Sequence, residues 1–351
     1  MVRLRLPGGR VDAATVRTIS SLAVRFGDPD ITLTSRGSLQ LRGLPDPLPR
    51  ELVTAIGDLG LVPSGEHDKA RNIVADPDES LDDLVEALDE ALLADPALAG
   101  LPGRFLLAVA RPGGPVLGEP WDIAVVDEGG SVRVLVGDHG VVVPRDGAAR
   151  TALDVARRFL AVRPDAKTWN VRDLPAAARG SLLPEGTPFV VEAEAPPLPG
   201  PDGDYLVALV PLGLLTPRMA AALTTLRGSS QGSSHLSERL VITPWRSIVV
   251  RGGAGLADDL AAAGFATAPD SPWTVLTACA GAPACARTTT STRDLARDAA
   301  ALVDPTGPPV HVIGCERSCG HPARAHTISL NPSTAADVVA AQRSPITERS
   351  S

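Results

Sequence analysis

The four cysteines of the chain form two closely spaced pairs near its C-terminal end. Cys279 and Cys285 are separated by five residues in TACAGAPACAR, and Cys315 and Cys319 by three residues in HVIGCERSCGHP. Because no cysteine lies elsewhere, we expect the four thiols to form one site. Four thiolates that converge on one point can bind a [4Fe–4S] cluster, which transfers electrons. The cysteine spacing therefore predicts a redox function.

Three other uses of four cysteines remain open. Structural zinc also takes four thiolates, but its cysteine pairs are usually separated by about two to four residues, which suits only the second pair. Disulfides need an oxidising compartment. The N-terminal segment MVRLRLPGGR lacks the apolar run of a signal peptide, which predicts a cytoplasmic location instead. Inert buried thiols would be expected to be scattered, not paired beside glycine and proline.

Composition excludes several classes of protein. The length of 351 residues predicts about two to three domains. Hydrophobic residues make up 44% of the chain, yet no apolar stretch approaches the ~20 residues of a membrane span. The net charge of −8 argues against a general nucleic-acid-binding protein. Lys69 and Lys167 are the only lysines, so nearly all basic residues are arginines, which bind carboxylates through two parallel hydrogen bonds.

An internal repeat is the second strong signal. ITLTSRGSLQLRGL, residues 31–44, aligns with LVITPWRSIVVRGG, residues 240–253, and RLRLPGGRVD, residues 3–12, aligns with VALVPLGLLT, residues 207–216. The aligned pairs include Thr34 with Thr243, Ser38 with Ser247, Arg42 with Arg251, Pro7 with Pro211, and Gly9 with Gly213. The repeat predicts two similar halves related by a pseudo-two-fold axis. Because only the second copy carries cysteines, we expect the site at the junction of the halves.

Each copy is predicted to fold as a βαββαβ half-domain followed by an α/β module. In the first copy, strand Val2–Leu6 precedes a helix capped by Asp12, with Val16 and Ile19 at helical spacing. In the second copy, Thr216 takes the capping position. The predicted boundaries are 1–65 and 205–268 for the half-domains, 66–183 and 269–342 for the α/β modules, 184–204 for a Pro/Gly-rich linker, and 343–351 for a disordered tail.

These motifs together resemble the nitrite/sulfite reductase superfamily. TSRGSLQLRGL is similar to its first-half signature, and TACAGAPACAR, with the C-x5-C…C-x3-C spacing, to its cluster loop. The resemblance covers nearly the whole chain and implies an α+β fold with two ferredoxin-like half-domains. It also implies that Cys279, Cys285, Cys315 and Cys319 bind the [4Fe–4S] cluster, and that Cys319 bridges to the iron of a sirohaem.

The resemblance further implies a basic pocket in the first half of the chain. The matching positions are Arg36 in the predicted hairpin, Arg71 in ARNI and Arg104 in LPGRF. In the superfamily such residues face a tetrapyrrole or an anionic substrate. Guanidinium groups suit this role because their hydrogen bonds to carboxylates are assisted by charge.

Within the superfamily, the chain is most similar to the precorrin-3B synthases of cobalamin biosynthesis. It is shorter than typical sulfite reductases, and RLPGGRVD followed by LTSRGSLQLRGL resembles that group. Arg104 and Leu106 also stand where the reductases carry a lysine pair. The resemblance implies oxygen-dependent hydroxylation of precorrin-3A and closure of a lactone. Two other functions remain open, a sirohaem-dependent nitrite or sulfite reductase and a non-catalytic iron–sulfur electron carrier.

The same resemblance implies external partners for the electron supply. NADH would be the ultimate reductant and dioxygen the co-substrate of the synthase reaction. Because no G-x-G-x-x-G motif follows a predicted strand, we expect a separate reductase or a ferredoxin to deliver the electrons. A mononuclear non-haem iron that activates dioxygen could be bound by His311, His321 and His326, near the cysteines.

Overall fold

The computed structural model describes residues 1–225 and 240–344. The strands in these residues are β1 (Val2–Leu4), β2 (Arg10–Val11), β3 (Ile31–Leu33), β4 (Leu39–Leu41), β5 (Ile73–Ala75), β6 (Leu107–Ala110), β7 (Ile123–Asp127), β8 (Val132–Val136), β9 (His139–Val143), β10 (Thr187–Pro188), β11 (Gly200–Asp202), β12 (Tyr205–Leu209), β13 (Leu214–Leu215), β14 (Leu240–Ile242), β15 (Ser247–Val250), β16 (Leu276–Ala278), β17 (Val310–Ile313) and β18 (Thr327–Leu330). The α-helices are α1 (Ala13–Phe26), α2 (Arg50–Asp58), α3 (Asp82–Leu93), α4 (Ala148–Val162), α5 (Ala176–Gly180), α6 (Pro217–Thr225), α7 (Ala257–Ala263), α8 (Thr292–Ala299) and α9 (Ala335–Gln342). None of these described helices is long and apolar enough to cross a membrane.

Two sheets belong to the repeated halves, and each receives a strand from the other half. Their strand orders are β1-β4-β3-β13 and β11-β12-β15-β14-β2. Strand β2 of the first half pairs with β14, placing Val11 opposite Leu240. Strand β13 of the second half pairs with β3, placing Leu215 opposite Ile31. This reciprocal exchange confirms the predicted duplication in an α+β fold and fixes the two halves against each other.

Two aligned glycines make the exchange possible. Gly9 and Gly213 precede β2 and β13 with φ values of 75° and 67°, in the left-handed region that favours glycine. A β-carbon added to Gly9 would lie 2.1 Å from the carbonyl oxygen of Ile242. One added to Gly213 would lie 3.2 Å from the carbonyl oxygen of Leu33, the aligned residue. Each turn thus passes close to the backbone of the other half.

Helices α1 and α6 follow the exchanged strands and begin in the same way. Asp12 Oδ1 accepts a hydrogen bond of 2.6 Å from the N–H of Thr15, and Thr216 Oγ1 accepts one of 3.2 Å from the N–H of Met219. Both helices bury apolar side chains, such as Ile19 of α1, in a core shared by the two halves. Because burial of each such side chain contributes about 1.5–3 kcal/mol, this core holds the halves together as one unit.

The other two sheets form the α/β modules. The first has the strand order β10-β9-β8-β7-β6-β5, in which β5, β6 and β7 are parallel and the remaining neighbours antiparallel. Leu88 of α3 and Phe159 of α4 belong to the buried apolar cluster beside it. The second has three parallel strands in the order β16-β17-β18, contacted by α8 and α9.

The segment 184–204, predicted as a linker, contributes to the sheets on both sides of it. Strand β10 pairs with β9, with Thr187 opposite Gly140. Strand β11 pairs with β12, with Gly200 opposite Val207. The proline-rich composition suggested irregular backbone, but edge strands accommodate proline because one side of the strand needs no partner.

The last strand of the predicted βαββαβ unit differs between the copies. In residues 59–72, all of them described, no strand follows α2. After α7, Ala266 forms a single antiparallel bridge with Leu209. Of the predicted disordered tail, Arg343 and Ser344 close α9, and residues 345–351 lie outside the described part of the chain.

Candidate functional site

Cys279 and Cys315 leave adjacent parallel strands at the same edge of the last sheet. Strand β16 pairs with β17 so that Ala278 lies opposite Val312, and the N–H of Cys279 donates a hydrogen bond of 2.9 Å to the carbonyl oxygen of Val312. Cys315 follows soon after the last residue of β17, Ile313. Because carboxyl ends of neighbouring parallel strands lie side by side, the two thiols start from adjacent positions.

The loops that carry Cys285 and Cys319 fold back toward this edge. The loop with Cys285 packs Thr288 against Gly314, where an added β-carbon would lie 2.5 Å from the threonine hydroxyl oxygen. The other loop returns to β17, since the carbonyl oxygen of Cys319 lies 3.2 Å from Nε2 of His311. Both loops therefore meet at the end of the sheet where the strands release the first cysteine of each pair.

The four thiols are free, and their exposure differs. Cys279 is buried, Cys285 and Cys315 are half-buried, and Cys319 is exposed. Within residues 1–225 and 240–344, no three His, Cys, Asp or Glu side chains are grouped as ligands of a metal ion. The structure thus brings the cysteines to one edge without arranging them in ligand geometry. In number and chemistry, four free thiols fit a [4Fe–4S] cluster.

Two of the predicted pocket arginines, Arg36 and Arg104, are in contact. Arg36 lies in the turn between β3 and β4, and its Nη1 donates a hydrogen bond of 2.9 Å to the carbonyl oxygen of Arg104. Burial and, to a smaller extent, the charge of Arg3 lower the pKa of Arg36 to about 10, whereas Asp122 opposes the shift. The Arg104 guanidinium stacks on Trp169, 4.2 Å from the ring centroid.

The third predicted arginine, Arg71, is held in a buried ion pair. Its Nε and Nη2 each donate a hydrogen bond of 2.8 Å to the carboxylate of Asp89, and its Nη1 donates one of 2.9 Å to the carbonyl oxygen of Leu61. The Arg71 side chain is only 6% exposed. Because Asp89 neutralises its charge, Arg71 supports the first module in this structure, and its contact with a ligand stays a prediction.

A row of arginines runs from the β3–β4 hairpin to the β14–β15 hairpin. Its members are Arg36, Arg3, Arg42, Arg293 and Arg246. The charge of Arg3 acts on Arg36, that of Arg42 on Arg3 and on Arg293, and that of Arg293 on Arg246. Burial is the main cause that lowers the pKa of Arg3 and of Arg293, and the guanidinium of Arg42 lowers both further. This set is called the arginine row below. It links the two halves of the chain by positive charge.

Two donors in the arginine row have no partner among residues 1–225 and 240–344. Nε of Arg42 and Nε of Arg293 are buried and make no hydrogen bond in the described part of the chain. A buried donor without a partner costs about 1–3 kcal/mol, and carboxylate oxygens are strong acceptors for guanidinium groups. The arginine row therefore fits an anionic ligand that carries several carboxylates, as tetrapyrroles do.

Arg246 connects the arginine row to the cysteine loops. Its Nη2 donates a hydrogen bond to the carbonyl oxygen of Gly320, the residue after Cys319. Its φ of 63° repeats the φ of 59° at Gly37, the aligned residue of the first hairpin. Burial, with the nearby charge of Arg293, lowers the pKa of Arg246 to about 10. No sequence signal singled out Arg246, because the repeat aligns it with a glycine.

The three histidines predicted as possible iron ligands lie together beside the second cysteine loop. The ring of His326 lies 6.0 Å from that of His311 and 5.7 Å from that of His321, between centroids. Nδ1 of His311 lies 2.8 Å from the hydroxyl of Thr277, and its Nε2 faces the carbonyl oxygen of Cys319. Burial lowers the pKa of His311 to about 3, so its ring is neutral. With both nitrogens engaged by protein, its role as a ligand stays a prediction.

Trp245 takes the place of Arg36 in the second hairpin, and its polar partner is Glu119. The indole Nε1 donates a hydrogen bond of 2.9 Å to Oε1 of Glu119. Glu119 also lines a cavity of about 590 Å³ with Trp121 and Phe189. No sequence signal singled out Glu119, because it lies outside the aligned repeat and in no recognised motif.

Known proteins resemble this chain both in sequence and in fold. Residues 1–48 match the family described as the nitrite/sulfite reductase ferredoxin-like half domain. The ferredoxin–nitrite reductase of Synechococcus elongatus is 32% identical over 124 residues, which are 31% of this chain and 24% of that enzyme, so the match spans about a quarter of the relative. The solved structure of the Mycobacterium tuberculosis NirA protein superposes with a TM-score of 0.64 at 20% identity, over 91% of this chain and 68% of NirA.

These matches agree with the geometry of the two halves. The matched half domain contains β1 to β4, of which β2 and β3 pair with strands of the second half. The superposition extends over nearly all of the chain, including the half that carries the cysteines. The chain therefore has the nitrite/sulfite reductase fold, and it opens with a segment similar to the ferredoxin-like half domain of that family.

Proposed function

We propose that this protein is an oxidoreductase that binds an anionic tetrapyrrole on the arginine row, next to a [4Fe–4S] cluster held by Cys279, Cys285, Cys315 and Cys319. The observation that carries the proposal is the arginine row itself, with two buried Nε donors that bond to no residue in the described part of the chain. Arg246 supports a position of the tetrapyrrole next to the cluster, because it belongs to the arginine row and also contacts the loop of Cys319.

The roles of the chain's own residues follow from this arrangement. Arg42 and Arg293 would bind peripheral carboxylates, which satisfies their Nε donors and relieves the repulsion between neighbouring guanidiniums. Arg36 would orient the ligand from the first hairpin, and Arg246 from the second. When bound, the cluster supplies electrons one at a time, and a sirohaem supplies the iron at which an oxyanion is reduced.

The comparisons favour a reductase of nitrite or sulfite as the specific activity. The curated relative is named as a ferredoxin–nitrite reductase, and the matched half domain bears the nitrite/sulfite reductase name. In this function the tetrapyrrole is sirohaem, a resident cofactor, with Cys319 as the candidate bridge to its iron. A ferredoxin, or a reductase that draws on NADH, would deliver the electrons.

Precorrin-3B synthase is the second candidate, and one observation favours it. Where reductases carry a lysine pair, Arg104 stacks on Trp169 and Leu106 is 1% exposed within an apolar cluster. Both lysines of the chain, Lys69 and Lys167, are exposed. A site without that lysine pair has fewer mobile cations to bind a small oxyanion and to supply protons. In this function precorrin-3A is the substrate and dioxygen the source of the hydroxyl group.

Anaerobic purification followed by acid-acetone extraction tests the proposal. Extractable sirohaem, with reduction of nitrite or sulfite by reduced ferredoxin, would support the reductase. Iron and sulfide without sirohaem, with oxygen-dependent conversion of added precorrin-3A, would support the synthase. A protein that binds neither iron and sulfide nor any tetrapyrrole after cluster reconstitution would overturn the proposal. The Cys285→Ser variant is the control for the cluster, since it removes one thiolate and should lower the iron and sulfide content.

A further inference from the structure

Glu119 is a carboxyl group between two units of the protein that the proposed chemistry has not used. It follows a short 3-10 helix, Pro115–Gly118, of the first module. From the second half-domain, Trp245 donates its indole hydrogen bond to Oε1. From the first hairpin, Arg36 faces it closely enough for its charge to act on the carboxyl. Arg36 and Trp245 occupy aligned positions at the tips of the two repeated hairpins. Both therefore act on the carboxyl group of Glu119, Arg36 through its charge and Trp245 through a hydrogen bond.

The other face of Glu119 belongs to the cavity of about 590 Å³. The cavity is lined on its apolar side by Trp121, Phe189 and Val191 and on its polar side by Asp138. Within the described residues, Oε2 of Glu119 receives no hydrogen bond from the protein. Glu119 thus connects an open, water-accessible cavity with the end of the arginine row at Arg36.

Two fully buried carboxyls, of Asp76 and Asp122, show how Glu119 differs. Asp76 accepts hydrogen bonds from the N–H groups of Arg111 and Val116, both at 3.0 Å. Asp122 accepts hydrogen bonds from the N–H groups of Leu106 and Val171, at 2.8 and 2.6 Å. Their carboxylate oxygens are bound to backbone and hold loops in place.

Glu119 is only half-buried, and in the described part of the chain no backbone N–H donates a hydrogen bond to its carboxylate. Burial raises the pKa of Glu119 to about 7, against the opposing effects of the Trp245 hydrogen bond and the Arg36 charge. A group with this pKa exchanges protons readily near neutral pH. The charged groups that face it are Arg36 from the β3–β4 hairpin and Asp138 from the turn between β8 and β9.

We propose that Glu119 is the proton-exchanging residue of the site, which passes protons from the cavity to the ligand on the arginine row. The inference rests on the proposed function. In either reaction an N–O, S–O or O–O bond breaks and its oxygen leaves as water, which takes up two protons and two electrons, the electrons coming from an external iron–sulfur or flavin donor. Glu119 supplies the protons one at a time: its O–H bond breaks as a new O–H bond forms on the leaving oxygen, and the resulting carboxylate is stabilised by Arg36. A hydronium ion from bulk solvent, entering through the open cavity, then protonates Glu119 again.

Difference infrared spectroscopy during a pH titration tests the proton site without any turnover. We expect the C=O band of a protonated carboxyl to titrate near pH 7 in the wild-type protein and to be missing in Glu119→Gln. The glutamine keeps an oxygen acceptor for Trp245 but cannot titrate. Asp138→Asn is the matched control, because it changes an exposed carboxylate on the same cavity and should leave the band in place. Burial also raises the pKa of Asp76, to about 6, so a separate band from that carboxyl should remain in Glu119→Gln. A band that still titrates near pH 7 in Glu119→Gln would overturn the proposal.

The pH profile of turnover tests the transfer itself. With whichever substrate the wild-type protein converts, Glu119→Gln should lower kcat by about 10²-fold. The change of kcat with pH near pH 7 should disappear in this variant, while its iron and tetrapyrrole content stays the same. An unaltered profile would overturn the proposed transfer. The two proposals fail separately, because a missing tetrapyrrole with an intact titration at Glu119 contradicts only the proposed function. A normal tetrapyrrole content with no titration at Glu119 contradicts only the present inference.

Discussion

Arg251 and Asp82 are joined by two hydrogen bonds, of 2.6 and 2.8 Å, although 169 residues separate them in the sequence. Arg251 follows β15 of the second half-domain, and Asp82 begins α3 of the first module. Arg10 of β2 adds a third hydrogen bond to Asp82, of 2.9 Å. Because Asp82 is 8% exposed, this group of charges is largely removed from water and connects three units of the fold.

We expect the Asp82→Asn variant to be strongly destabilised. The substitution leaves two buried guanidiniums, of Arg10 and Arg251, without their counter-charge, which costs about 3–5 kcal/mol in comparable buried pairs. Denaturant unfolding of the purified protein measures the loss. Asp83→Asn is the matched control, because Asp83 is 68% exposed in its pair with Arg145 and should cost about 0–1 kcal/mol. Equal losses in the two variants would contradict the prediction.

The contribution of Asp82 to stability should disappear in acid. Burial alone would raise the pKa of Asp82, but the hydrogen bonds from Arg251 and the charge of Arg10 lower it to about 2, against about 4 for an unfolded aspartate. A folded-state pKa below the unfolded value gives stabilisation that is present above about pH 4 and is lost as the pH falls toward 2. The gap in unfolding free energy between wild type and Asp82→Asn should therefore narrow over this range. A gap of constant size would refute the assignment.

The sequence predicted the helices and strands of each half better than the exchange of strands between the two halves. The repeat and the helical spacing after Asp12 predicted the strands, α1 and the α+β class, because they depend on local pattern. The exchanged strands β2 and β13 have only two residues each, so no alternation of apolar and polar residues can be recognised in them. The chain enters both strands through a glycine with positive φ, Gly9 or Gly213, and the amino-acid sequence alone does not reveal that backbone conformation.

The site was predicted in part for a similar reason. Arg36 was found because a family signature contains it, and the cysteines because their spacing is specific. Arg246 and Glu119 were missed, since one aligns with a glycine and the other lies outside the repeat. Their importance arises from long-range contacts, with Gly320 and Trp245, that only the folded chain brings about.

Substitution of Gly9 by alanine should destabilise the protein more than the same change at an open glycine. An alanine at φ 75° is strained, and its β-carbon would lie 2.1 Å from the carbonyl oxygen of Ile242. Gly129 is the control, because its φ is 85° but nothing lies within 4 Å of an added β-carbon. We expect Gly9→Ala to lose about 1–3 kcal/mol more unfolding free energy than Gly129→Ala, the usual cost of overpacking. Similar values from denaturant unfolding would count against the close approach of the two halves.

Arg36→Ala should weaken the binding of a carboxylate-rich tetrapyrrole. Uroporphyrin is a suitable probe, since it carries many carboxylates and its fluorescence reports binding. Loss of one charge-assisted hydrogen bond of about 1.5–3 kcal/mol corresponds to a roughly 10- to 100-fold higher Kd. Arg17→Ala removes an exposed arginine of α1 and serves as the control for net charge. An unchanged Kd in a folded Arg36→Ala variant would exclude Arg36 from the binding site.

Removal of the indole hydrogen bond should raise the pKa of Glu119 above its value of about 7. Trp245 donates that bond to the carboxylate and so lowers the pKa, in opposition to burial. In Trp245→Phe the ring remains but the donor is lost, so the carboxyl should hold its proton to higher pH. The infrared titration of the carboxyl band measures this shift directly. Trp121→Phe is the matched control, because Trp121 lines the same cavity but donates its indole hydrogen bond to the carbonyl oxygen of Leu117, at 2.9 Å. A midpoint that stays at pH 7 or falls in Trp245→Phe would mean that this hydrogen bond does not set the protonation of Glu119.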